Sequence, residues 1–156
     1  MLDWFLSHRR PEGWEQWAEV VWRDERAPKF IGDMPHTWVG SDFMRSVLDM
    51  LVYPREEDEA LVLGAGVPFE WARDPSGVGV SALPTPYGSL HYTMRQEGDG
   101  VEVRIEGALR IPRGGIVVRA PFDGTINRAT VNGKRADIGP DGEIIVRELP
   151  ALVRVE

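Results

Sequence analysis

The sequence predicts an α+β protein: a short N-terminal helical segment followed by an antiparallel β-sandwich. Composition and periodicity both point there. Five of the six tryptophans (Trp4, Trp14, Trp17, Trp22 and Trp38) fall in the first quarter of the chain, and most of the 17 glycines follow it. Near Ala60 the apolar pattern changes from a helical period to a period of two, the signature of half-buried strands. The expected division is residues 1–53 helical, 54–60 linker and 61–156 β-sandwich.

In the first part, Leu2 to His8 reads as the last turns of a helix. Arg9 and Arg10 suit its negative end, and Pro11 blocks continuation. Glu12 to Val21 spaces Trp14, Trp17 and Val21 by three and four, which predicts a second short helix. A loop from Trp22 to Trp38 precedes a third, in which Phe43, Val47, Leu48, Leu51 and Val52 form an apolar stripe opposite Asp42, Arg45, Ser46 and Asp49. Ser41 is the expected N-cap and Pro54 the stop. The acidic run Glu56-Glu57-Asp58-Glu59 reads as part of a solvated linker.

Beyond it, Ala60–Leu63 is a short apolar run, and Ser89–Arg95 sets Leu90, Tyr92 and Met94 against His91 and Thr93. Val101–Ile105 alternates again after the turn residues Glu97-Gly98-Asp99-Gly100. Ile116–Val118, Ile126–Val131, Glu143–Val146 and Leu152–Val155 continue the series. Asn132-Gly133 is a strong hairpin signal, and Pro140-Asp141-Gly142 marks another turn. Short strands at such spacing predict a sandwich.

At 156 residues the chain accommodates one ordinary domain, or one with an extra helical piece, and 42% apolar with 28% charged residues is a globular composition. A net charge of -7 without a basic stripe opposes a nucleic-acid partner. The absence of cysteine removes thiol chemistry and leaves the redox compartment open. No apolar run approaches a membrane span, and residues 1–6 lack the basic start and apolar core of a secretory signal.

The stretch Gly32 to Leu51 delivers polar and aromatic side chains from the mouth of a helix. His36 and Trp38 admit two readings. In one, histidine hydrogen-bonds a substrate hydroxyl while tryptophan offers a flat face to a sugar ring, with Trp17 and Asp33 as further substrate contacts. In the other, His36 braces the loop and Trp38 anchors a core. Glu15 and Glu19 are candidate general acid or base groups if indoles desolvate them, and plain solvated glutamates otherwise. On one helix face they do not make the pair that flanks a scissile glycosidic bond, so only one of them could serve.

Other motifs carry less. Three scattered histidines without cysteine make no zinc site, and Asp137–Glu143 lacks the ligand pattern of a calcium loop. His8 and His91 read as a helix-end and a strand-surface residue. Gly64-Ala65-Gly66 is not followed by a helix, which argues against a phosphate cradle, and no serine sits in a nucleophile elbow.

The order of motifs Gly32-Asp33-Met34-Pro35-His36-Thr37-Trp38, helix, Ala60 to Pro68, Val78-Gly79-Val80, Leu83 to Gly88 and Val131-Asn132-Gly133-Lys134 resembles the C-terminal end of six-hairpin glycosidases of the α-L-rhamnosidase type. The resemblance implies that the first helices end an (α/α)6 barrel around a sugar cleft, with a terminal β-sandwich behind it. It implies carbohydrate and the remainder of the barrel as partners, and no cofactor. Trp14-Glu15-Gln16-Trp17 is similar to the segment near that family's second carboxylate, which makes Glu15 or Glu19 the candidate base, and His36 and Trp38 match its substrate contacts. The general acid would lie outside this chain. The expectation is therefore a C-terminal piece of a glycoside hydrolase, inactive alone. The helix face around Phe43, Val47 and Leu51 would then be exposed in the chain alone, since burying a Leu, Val or Phe side chain is worth roughly 1.5–3 kcal/mol and a larger helical body would supply that burial. The rival expectation is a carbohydrate-binding or structural β-module, with Tyr87, Tyr92 and Trp71 as stacking residues.

Overall fold

The computed structural model describes residues 2–10, 12–20 and 32–156; expectations for Pro11, Val21 and Trp22 fall outside them. The chain divides into two compact units, Met1–Leu48 and Asp49–Glu156.

In the first unit, helix α1 covers Leu2–Ser7. The Arg9 Nε–H donates to the Leu6 carbonyl at 3.1 Å, satisfying one acceptor that a helix end leaves open. The helix expected over Glu12–Val21 is absent from its described part: residues 12–14 make a turn and residues 17 and 18 carry no helical pairing. Gly13 and Glu15 both have left-handed backbone, at φ +84° and +55°, which breaks a helical run at once. The Arg10 N–H instead reaches the Gln16 carbonyl at 2.7 Å across the turn. The spacing of Trp14 and Trp17 therefore marks no shared face: Trp14 is exposed, whereas Trp17 is half-buried.

Helix α2 covers Thr37–Leu51. It starts earlier than a Ser41 cap would allow, because His36 caps it: the ring Nδ1 accepts the Val39 N–H at 3.4 Å. Ser41 lies inside the helix, its hydroxyl donating to the Trp38 carbonyl. Phe43 of α2 closes a small aromatic cluster, with ring centroids 4.8 Å from Trp17 and 6.0 Å from Phe5. No residue of α2 is buried.

The second unit begins with the last turn of α2. The carbonyls of Met50 and Leu51 accept the Gly66 and Gly64 N–H groups at 3.0 and 2.8 Å, so the glycine turn closes the helix end and its amides are engaged. A one-turn helix, α3 (Phe69–Ala72), follows that turn. Strands β1 (Val52–Arg55) and β2 (Ala60–Leu63) form an antiparallel hairpin, with Arg55 opposite Ala60. The acidic run 56–59 is thus a hairpin turn rather than a linker, solvated as expected, with Glu59 in the left-handed region that closes it. Arg55 spans it, donating to Asp58 Oδ2 at 2.8 Å and to Glu143 Oε1 at 2.7 Å. Those two hydrogen bonds hold the guanidinium proton more firmly than usual, and Arg55 in turn holds the Asp58 carboxyl below its ordinary range.

The remaining strands are β3 (Val78–Thr85), β4 (Gly88–Glu97), β5 (Gly100–Glu106), β6 (Ile116–Val118), β7 (Ala129–Val131), β8 (Lys134–Arg135), β9 (Ile144–Val146) and β10 (Ala151–Val155). They build a four-stranded sheet, β1-β2-β6-β9, and a six-stranded antiparallel sheet, β3-β4-β5-β10-β7-β8. The arrangement is sandwich-like, since one apolar core takes Leu61, Leu63, Ile116 and Ile144 from the first sheet and Leu90, Tyr92, Val103 and Val153 from the second. One pair departs from the antiparallel expectation: β2 and β6 run parallel, Leu61 opposite Ile116. The four-stranded sheet is also apolar on its other face, where Ala60, Val62 and Val117 are fully buried. A strand buried on both sides reads as a continuous apolar run, which is what Ala60–Leu63 is.

Candidate functional site

The candidate residues of the first unit are brought together by a short pairing of two extended segments. The His36 N–H donates to the Trp17 carbonyl at 2.9 Å, and the Glu19 N–H donates to the Asp33 carbonyl at 3.0 Å. Residues 17–19 and 33–36 therefore run side by side and hand directly into α2. Of the six candidates, Trp17, Glu19, Asp33 and His36 lie on this pairing, Trp38 sits in the first turn of α2, and Glu15 is drawn elsewhere.

Trp17 is an anchor. Its ring packs on Phe43, and its Nε1–H donates to the Phe5 carbonyl at 2.7 Å, leaving the indole no free polar edge. His36 divides its functions: its backbone pairs with Trp17, its Nδ1 faces the Val39 amide, and its ring lies 6.4 Å from Trp38 at an interplanar angle of 17°. An acceptor Nδ1 places the neutral imidazole's proton on Nε2, on the opposite side of the ring from the helix. Trp38 is 71% exposed, so it is no core anchor and its indole face is open to solvent.

The carboxylates separate. Glu15 forms an ion pair with the Arg9 guanidinium, turned toward the end of α1. Glu19 folds onto its neighbouring segment: its Oε2 accepts the Asp33 N–H at 3.4 Å and lies against Gly32, where a methyl group would collide with it. The helical relation expected between them does not exist, and both side chains are exposed rather than enclosed by indoles. Arg9 is the partner that sequence reading missed, because a basic pair before proline reads only as a helix end. Among the described residues no three His, Asp or Glu side chains converge as a metal site, and no helix is long and apolar enough to cross a membrane.

In the second unit the proposed stacking aromatics turn inward. Tyr92 is 2% exposed and its hydroxyl donates to the Leu51 carbonyl at 2.7 Å, and burial pushes its ionisation well above the usual phenol range. Tyr87 is half-buried against the core, which leaves Trp71 on α3 as the exposed member of the three. An open hollow of about 480 Å³ is lined by parts of the edge strands β8 and β9, with Lys134, Arg135 and Arg147 beside Asp137 and Glu148. All five side chains are exposed, and the partly buried Glu143, which also lines the hollow, is already engaged by Arg55. No family model, curated protein or solved structure matches the chain.

Proposed function

We propose that the chain serves as the C-terminal part of a glycoside hydrolase. The first unit supplies one wall of the sugar cleft as the end of an (α/α)6 barrel, and the second is a scaffold. The observation that carries this reading is Trp38, an indole 71% exposed beside an imidazole whose Nδ1 accepts the Val39 N–H, so that its neutral form carries the proton on Nε2. Sugars bind by that combination, C–H groups on an aromatic face and hydroxyls on a few fixed polar partners. The amphipathic helix α2 supports the need for further helical walls: none of its residues is buried, and although Phe43, Val47 and Leu51 are half-covered, Trp38, Met44 and Leu48 are exposed. On this reading Glu19, held beside Asp33 on the segment that leads to His36, is the better placed of the two glutamates for a base, since Glu15 is engaged by Arg9. The carbohydrate-binding alternative loses its main supports with Tyr92 and Tyr87 turned into the core.

The test uses the chain with a panel of monosaccharides and aryl glycosides. The expected result is weak binding seen as a change in tryptophan fluorescence, abolished by Trp38→Ala, with no release of the aryl group. Binding untouched by Trp38→Ala would remove the wall assignment. Turnover by the chain itself would overturn the division of the active site.

A further inference from the structure

Strand β3 is one of the two edges of the six-stranded sheet, and its pairing with β4 is interrupted between Val80 and Leu83 by a bulge. Ala82, inside the bulge, has left-handed backbone at φ +52°, a conformation that a residue with a Cβ rarely adopts unaided. The contact opposite it comes from β4. The Ala82 N–H donates to His91 Nδ1 at 3.1 Å, and the Ser81 hydroxyl lies 3.4 Å from the same nitrogen. A bulge displaces backbone groups from the ladder, and here a side chain accepts the displaced amide.

We propose that His91 is a pH-sensitive latch holding the bulge of the β3 edge, closed while Nδ1 is an acceptor and released when the imidazole gains a second proton. Imidazolium is a donor at both nitrogens, so its Nδ1–H would point at the Ala82 N–H and the contact becomes repulsive. The groups around His91 are few. Strand β5 presents Glu106, its register partner, together with Arg104; β3 contributes the Ser81 hydroxyl; β4 itself contributes Thr93. Carboxylates ordinarily titrate below, and guanidinium groups above, the interval between about pH 5 and 8 in which imidazole changes charge. The consequence is local. Bulges turn a sheet edge away from pairing with other strands, so loss of the latch in mild acid frees an edge that is shielded at neutral pH.

Amide hydrogen exchange on the full chain reads this directly, with rates corrected for the intrinsic effect of pH. Between about pH 8 and pH 5 the Ala82 amide is expected to lose about tenfold of its protection, the value of one net hydrogen bond, while Val103 and Val153 in the core stay protected. His91→Gln keeps a neutral acceptor that does not titrate, and should preserve protection at both pH values. His91→Leu should lose it at both. Equal Ala82 protection at the two pH values in the native chain would sink the latch. So would a His91→Gln chain that loses protection in acid to the same degree, since the titrating group would then lie elsewhere.

Discussion

At the scale of single residues, the positions that tolerate least are those where backbone approaches backbone. Gly64 combines a φ of +76° with a Cβ position only 2.8 Å from the Arg119 carbonyl, while its own N–H closes the end of α2. Gly64→Ala is expected to cost on the order of 2 kcal/mol, from left-handed strain together with overpacking, and chemical denaturation would measure it. In sequence Gly64-Ala65-Gly66 was legible only as a glycine run unsuited to a phosphate cradle, and not as a helix cap. Its role depends on Met50 and Leu51, which sequence reading assigned to the far side of a domain boundary. His36 was legible as a brace of its loop, and it does cap α2, with its ring 6.4 Å from that of Trp38.

At the scale of elements, charge pairing on the strand surfaces sets the response to acid. Glu102 on β5 is 11% exposed, and burial alone would raise its pKa. Hydrogen bonds from Arg154 on β10 and from Arg104 outweigh that and hold it below the ordinary carboxylate range. A depressed folded-state pKa contributes stability that is fully present above the ordinary carboxylate value and lost as pH falls through the folded value. Glu102→Gln should therefore be less stable than the native chain at neutral pH, and the difference in melting temperature should shrink below about pH 4. Which elements could be read from sequence follows from the same surfaces. Strands β4 and β5 alternate cleanly because one face is core and the other is charged, as Leu90, Tyr92 and Met94 show. Strand β3 escaped notice: Gly79 is required where a side chain would collide with the Tyr92 carbonyl, Pro84 sits on a free edge, and the bulge shifts the alternation midway. The false helix at 12–21 had the opposite fault. Its spacing was right by chance, and two left-handed residues that no period reports decided the backbone.

At the scale of the whole molecule, the two units differ in how they treat apolar surface. The second has a large core between its sheets and a smaller one on the outer face of the four-stranded sheet, whereas the first leaves Trp4, Leu6, Trp14, Val20, Met34, Trp38, Met44 and Leu48 substantially exposed. Such density of exposed large apolar side chains marks a surface meant to be covered or one that self-associates. Met44→Glu combined with Leu48→Glu should reduce concentration-dependent light scattering while leaving the melting temperature unchanged, because neither side chain is buried. A large drop in melting temperature would mean that this face is already structural. The parallel β2–β6 pair has a consequence of another kind, for the order of assembly. Everything from Gly64 to Gly115 intervenes between two strands that touch, so the four-stranded sheet cannot close until that whole excursion has been made. Hairpins such as β4–β5 form from near neighbours and come early, whereas β2–β6 is a late, long-range closure that limits the folding rate. The β2–β6 join at the centre of that sheet, between strands buried on both faces, is thus the one left longest unpaired while the chain folds.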